Sequence, residues 1–142
     1  MVGVKAGAVA GLIEGIIATG IFAVAFDWLI GSLLTTAPPG LNLEVYKQLL
    51  YVSLVYGSAV SGLINGIIMG VIFAVIYDYL PTEEPIFKAF TMGILFWIIS
   101  LVLATSLLTP IWIGIQFVLG VLIFGYLLGF FWTKFGGVAP ED

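Results

Sequence analysis

Four long stretches of apolar, almost uncharged residues dominate the sequence. They run from about residue 6 to 34, 49 to 80, 86 to 108 and 111 to 135. A transmembrane helix needs about 20 predominantly apolar residues. Only 8% of the chain is charged and 62% is hydrophobic, whereas a typical soluble domain is about 25% charged. The pattern therefore predicts an all-α, polytopic integral membrane protein. Residues 1–142 form one domain, a bundle of four transmembrane helices.

Short segments rich in proline, glycine and charge separate these stretches. Residues 35–40 (TTAPPG) and 81–85 (PTEEP) interrupt the helical pattern, because proline and glycine oppose continuation of a helix. Asn42 is suited to cap the N-terminus of the second helix. Pro110 is suited to the first turn of the fourth helix.

The second helix is predicted to be unusually long. Counted from Leu43, it would span about 57 Å at 1.5 Å per residue, whereas the hydrocarbon core of a bilayer is about 30 Å thick. Its first turns are expected at the membrane interface or outside it. The alternative is a break near Gly57, which would allow a re-entrant segment or an extra crossing.

Two segments that lie 51 residues apart are closely similar. Residues 7–29 (GAVAGLIEGIIATGIFAVAFDWL) and residues 58–80 (SAVSGLINGIIMGVIFAVIYDYL) are identical at 14 of 23 positions. This similarity indicates an internal duplication in the first two helices. If each copy crosses the membrane once, the copies run antiparallel, as in inverted-repeat transporters. An extra crossing would make them parallel.

Small residues recur at every fourth position in both copies, and in the first helix the series begins just before the copy. This spacing places them on one helix face, where missing side chains let two backbones approach closely. Burying apolar surface gives little driving force for helix association in lipid, so close packing must supply it. The pattern predicts helix-packing seams, with the lining of a substrate path as the alternative. The residues concerned are Gly3, Gly7, Gly11, Gly15, Ser58, Gly62, Gly66 and Gly70, with Gly125 and Gly129 in the fourth helix.

Glu14 lies about nine residues inside the first apolar stretch, which corresponds to a depth of roughly 13 Å. A charge at mid-membrane costs several kcal/mol, so such residues are usually paired or functional. The equivalent position in the second copy is Asn65. The pair is predicted either to lock two helices together through a hydrogen bond or to form a proton or cation site.

Asp27 and Asp78 also occupy equivalent positions, each followed by an aromatic residue and leucine. An inverted arrangement places them at opposite membrane faces. The sequence favours interfacial carboxylates beside aromatic anchors. Symmetry-related carboxylates at a gate or ion entrance are the alternative.

Several classes of function are disfavoured by what the chain lacks. It contains no cysteine and no histidine, which removes Cys/His zinc sites and Ser-His-Asp or Cys-His catalysis. No metal site, cofactor or enzymatic activity is expected. The sequence contains no basic run, so nucleic acid is not an expected partner.

The four lysines predict an orientation. With four crossings, Lys5, Lys88 and Lys134 fall on one side of the membrane and Lys47 falls on the other. The positive-inside rule then places both termini of this multi-pass protein in the cytoplasm.

Two functions are compatible with these features. The favoured one is a structural or accessory subunit of a membrane complex, or an oligomeric scaffold, whose partners are lipid, other transmembrane subunits or copies of itself. It depends on the glycine ladders, the short loops and the expectation that four helices enclose little interior. The alternative is a small transporter or channel for protons, cations or small solutes that uses Glu14 and Asn65.

Overall fold

The computed structural model describes residues 1–34, 39–103 and 110–137. This part of the chain folds into four long helices and is all-α, as predicted. All four helices are long and apolar enough to cross a membrane. They are α1 (Val2–Leu34), α2 (Leu43–Tyr79), α3 (Pro85–Leu103) and α4 (Pro110–Lys134).

The helix ends follow the local signals in the sequence. The side chain of Asn42 accepts a hydrogen bond of 2.9 Å from the backbone N–H of Glu44, so the predicted cap of α2 is confirmed. Pro85 and Pro110 are the first residues of α3 and α4, where a missing backbone N–H costs nothing. α1 begins earlier than the predicted residue 6, because nothing in the preceding residues opposes a helix. Residues 35–38, 104–109 and 138–142 lie outside the described part, so the predicted segment ends within them are not addressed.

α2 continues without interruption through the position where a break was considered. Residues Leu43–Tyr51 are α-helical, Val52–Tyr56 form a π-helical turn, and Gly57–Ile76 continue as α-helix before a final 3₁₀ turn. A π-helical turn widens the helix locally without ending it. The alternative of a break with an extra crossing near Gly57 is therefore wrong.

The backbones of α1 and α2 are in direct contact. A Cβ atom added to Gly11 would lie 2.7 Å from the Cα of Gly66, whereas carbon atoms in good contact are about 3.5–4.0 Å apart. The glycines of both ladders lie along this contact, which we call the α1/α2 seam. They are Gly3, Gly7, Gly11 and Gly15 of α1, and Gly62, Gly66 and Gly70 of α2.

The contacts along the α1/α2 seam run in opposite directions on the two helices. Gly3 lies against Gly70, near the end of α2, whereas Gly15 lies against Ser58, near its middle. The two helices are therefore antiparallel. A hydrogen bond of 2.7 Å between the hydroxyl groups of Thr19 and Ser58 joins them beyond the last glycine of the α1 ladder.

A second close contact joins α3 and α4. A Cβ added to Gly129 would lie 2.5 Å from the Cα of Ile86, and one added to Gly125 would lie 2.9 Å from the ring of Phe90. Gly93 also faces the backbone of α4, where an added Cβ would lie at an ordinary contact distance of 3.4 Å from the Cα of Val121. All the ladder glycines predicted to pack therefore lie against helices of the same chain.

The order of packing leaves one pair of helices apart. α1 packs on α4 as well as on α2, with Ala6 and Ala10 fully buried in the same apolar cluster as Leu128. In the described part of the chain, α2 and α3 make few contacts along their length. They meet near one end, where Phe73 and Met92 share that cluster.

Replacing Gly66 with alanine should destabilise the bundle, because the added methyl group would collide with the backbone of α1. We expect a loss of about 1–3 kcal/mol in the free energy of unfolding, measured by denaturation in mixed detergent micelles. The matched control is Gly20→Ala, because nothing lies within 4 Å of the Cβ that it would add. If Gly66→Ala were as stable as this control, the α1/α2 seam would not hold the bundle.

Candidate functional site

A cavity of about 540 Å³ lies between the helices, and residues of all four helices line it. It occupies the space that remains because α2 and α3 diverge. Phe73 and Met92 belong to the apolar cluster where α2 and α3 meet. A second apolar cluster, which includes Phe22, Val55 and Leu119, packs α1 against the π-helical turns of α2 and α4. The expectation that four helices enclose little interior is therefore wrong.

Polar side chains from each helix face this cavity. Glu14 of α1 is the one charged residue among the described residues that line it. A volume of this size is within the range of small-molecule sites, about 300–1,000 Å³. The polar lining residues other than Glu14 are Ser58, Ser61, Asn65, Ser100 and Gln116.

Glu14 and Asn65 both line the cavity but are not bonded to each other. Gly11 and Gly62 face each other in the α1/α2 seam, and Glu14 and Asn65 each lie three residues further along their own helix. Because the helices are antiparallel, the two side chains start about 9 Å apart along the bundle. No hydrogen bond joins them in the described part of the structure. The geometry therefore does not provide the predicted hydrogen bond that would hold the two helices together.

Asp27 and Asp78 lie at opposite ends of the bundle. The side chain of Asp27 is 92% exposed and one of its carboxylate oxygens lies 3.6 Å from the Nζ of Lys47. An exposed ion pair of this kind contributes little stability. Asp78 is exposed in the 3₁₀ turn that ends α2. Neither carboxylate lines the cavity.

Lys88 is a structural site that the sequence did not reveal. Its side chain is buried, with 8% exposed, and its Nζ donates a hydrogen bond of 2.8 Å to the carbonyl oxygen of Tyr77. The same Nζ lies 4.1 Å from the centre of the Tyr77 ring, and that ring stacks on Trp132 at 4.8 Å. Lysine binds the last carbonyl groups of a helix favourably. A lysine three residues into a helix that follows a tight turn could have suggested this contact.

Two tryptophans in the cavity wall are held by contacts between rings. The ring centres of Trp112 and Phe22 lie 5.9 Å apart, and those of Trp97 and Phe117 lie 5.1 Å apart in an edge-to-face arrangement. The indole nitrogens of both tryptophans are buried and have no hydrogen-bond partner among the described residues. The sequence did not point to either one, because aromatic residues in apolar helices are common and mark no particular site.

α4 also contains an irregular segment at the cavity. Residues Phe117–Ile123 are π-helical, and Leu119 and Gly120 within them line the cavity. π-helical turns inside α-helices are frequent at functional sites. Nothing in the uniformly apolar sequence of this segment predicts the irregularity.

The fold and composition fit a multi-pass helical membrane protein that contains a cavity with one acidic residue. Comparison of the chain with models of protein families, with curated proteins and with solved structures found no match. The case for a function therefore depends on the chemistry of the cavity.

Replacing Lys88 with methionine should loosen the end of the bundle where α2 and α3 meet, because the Tyr77 carbonyl oxygen loses its 2.8 Å hydrogen bond from Nζ, although it keeps the longer, 3.4 Å bond from the backbone N–H of Leu80. A hydrogen bond from a charged group contributes about 1.5–3 kcal/mol, and denaturation in mixed detergent micelles would measure its loss. Lys5→Met is the control because Lys5 is exposed. An equal effect of the two substitutions would contradict a structural role for the buried lysine.

Proposed function

We propose that this chain is a small membrane transporter or channel that moves protons, cations or small solutes through its central cavity. The observation that carries the proposal is the position of Glu14 and Asn65, which both line one cavity built by all four helices. A partly buried carboxylate with no salt-bridge partner in the described structure is expensive to keep, and packing alone does not require it.

A location of the cavity near the middle of the membrane is part of this proposal. Asp27 and Asp78 each lie 16 residues beyond Gly11 and Gly62, where the helices face each other. If the two aspartates mark the interfaces, Glu14 and Asn65 start within about 5 Å of the bilayer midplane. Ionisable residues at that depth generally mark substrate or ion pathways.

An inverted duplication of α1 and α2 is part of the proposal. The 14 identities between residues 7–29 and 58–80 support it, and so does the antiparallel contact between these segments. The facing residues Gly11 and Gly62 are themselves equivalent in the two copies. A two-fold axis through this point would exchange Glu14 with Asn65. Transporters with inverted repeats bind substrate close to such an axis.

Both termini are proposed to lie in the cytoplasm. In the antiparallel bundle, Lys5, Lys88 and Lys134 belong to the half in which α1 begins and α4 ends. Lys47 lies at the opposite end, beside Asp27. The positive-inside rule relates the lysine-rich side to the cytoplasm.

A subunit of a larger membrane complex is the second candidate. The glycine ladders, from which the sequence favours this function, support it less strongly, because these glycines pack against helices of the same chain. A different observation favours it: Asn65 and Ser61 are exposed beside the gap between α2 and α3. A polar helix of a partner protein could cover them, since side-chain hydrogen bonds join helices in membranes.

Access of water to the cavity can be measured with single cysteines, because the chain contains none of its own. Ser61→Cys, in the cavity wall, should react with a charged, membrane-impermeant thiol reagent when the protein is in liposomes. Val60→Cys lies one residue away, is 61% exposed and does not line the cavity. It should remain at least about tenfold slower to react, since a lipid-facing thiol has little thiolate character.

The same pair of variants separates the two candidates. Equal and negligible labelling of both cysteines in liposomes would contradict a hydrated pathway. If Ser61→Cys reacts in liposomes but is protected in native membranes, a partner covers the gap and the subunit function gains support.

Transport itself is tested by proton flux into liposomes that contain a pH-sensitive dye. Glu14→Gln should abolish flux above the leak of protein-free liposomes, because it removes the only ionisable group among the described cavity residues. Asp27→Asn removes one negative charge outside the cavity and should leave the flux within about twofold. Loss of flux in both variants would assign the effect to net charge rather than to the cavity.

A further inference from the structure

We infer that the cavity selects a small organic cation, bound with its positive charge near Glu14 and its apolar groups against aromatic rings. This inference concerns the ligand class and depends on the proposed function of the cavity as a solute site. Four observations support it: the charge of the lining, its poor fit to a metal ion, its aromatic side chains, and the polar and apolar side chains at its opening.

The charge of the lining favours a cation over an anion. Glu14 is the one charged side chain that lines the cavity in the described part of the chain, and no lysine there reaches it. Lys88, the buried lysine, donates to the Tyr77 carbonyl instead. An anion would meet the Glu14 carboxylate without a compensating positive charge, and unpaired charges are costly in such surroundings.

The same lining is poorly suited to a metal ion. Calcium binds about six to eight oxygen atoms, often from several carboxylates, and magnesium binds about six, usually from one or two carboxylates together with phosphate groups and water. The described residues contain no group of three acidic side chains that could hold a metal. A cavity of about 540 Å³ is also much larger than a single ion.

Aromatic side chains provide the remaining recognition. A ring face attracts an organic cation, and the interaction contributes roughly 0.5–2 kcal/mol, more where water is excluded. Contacts with Phe22 and Phe117 hold the tryptophan rings in place. The aromatic residues that line the cavity are Phe22, Phe96, Trp97, Trp112 and Phe124.

The opening of the cavity fits a ligand that is both polar and apolar. Because α2 and α3 make few contacts in the described part of the chain, the gap between them leads outward past Ser61, Asn65 and Ile68, which are exposed. Hydroxyl and amide groups thus lie beside an apolar side chain at the opening. This mixture matches a quaternary ammonium ion, such as choline, in which methyl groups surround the charge.

The test uses choline and its neutral carbon isostere 3,3-dimethylbutan-1-ol, which differ in charge but hardly in shape. Binding to the full chain in lipid nanodiscs is measured by ligand-observed NMR, with the signal from protein-free nanodiscs subtracted. We expect choline to bind at least about tenfold more tightly than the isostere. Glu14→Gln should remove this preference, and Asp27→Asn should change the Kd for choline by less than twofold.

The aromatic contribution is tested with two substitutions at one position. Trp112→Leu should weaken choline binding about fivefold or more, whereas Trp112→Phe, which keeps a ring, should retain most of it. If leucine and phenylalanine had the same effect, the ring would act only by filling space and the inference of a cation held by aromatic faces would be wrong.

Failure of this inference can be distinguished from failure of the proposed function. If choline and the isostere bind equally and Glu14→Gln changes neither Kd, the inference that the cavity selects a cation is wrong, but a solute site is supported. If neither ligand binds but Ser61→Cys reacts with the thiol reagent, the inference that the cavity selects a cation is also wrong, whereas the proposed hydrated pathway is supported. Binding of neither ligand, with Ser61→Cys unreactive, would overturn both proposals.

Discussion

Direct contact between the backbones of α1 and α2 is the interaction on which the rest of the bundle depends. In lipid, apolar side chains gain little by associating with each other, so helices must be held by dispersion forces at short range. Glycine at every fourth position provides that short range, and a methyl group at Gly11 or Gly66 would already prevent it. α2 packs on one side of α1, and the small residues Ala6 and Ala10 on another side of α1 pack against α4.

The cavity follows from this order of packing. α3 is held by α4, through Gly93 and Gly129, and not along its length by α2. Two tightly packed pairs of helices therefore join through α1 and α4, and the opposite side of the bundle stays open. The close contacts that stabilise each pair thus also create the space between them, into which Glu14 and Asn65 project polar groups.

Local signals in the sequence were enough to predict the helices, the Asn42 cap and the helix faces on which the small residues allow close packing. Each of these depends on neighbouring residues or on helical periodicity. The cavity could not be predicted, because it depends on which helix packs beside which, and no local pattern specifies that α1 contacts α4. The buried position of Lys88 depends on the same tertiary arrangement. The π-helical turns were missed because Val52–Tyr56 and Phe117–Ile123 have the same apolar composition as their surroundings.

The π-helical turn of α2 has a consequence for how this chain tolerates the deletion of a residue. A π turn accommodates an additional residue relative to regular α-helix, and here it separates the capped segment Leu43–Tyr51 from the helix that carries Gly62 and Gly66. Loss of one residue within Val52–Tyr56 would restore regular helix while both flanking segments kept their neighbours. The loss of one residue would thus be absorbed at this turn, and the register of the glycine contact would be preserved.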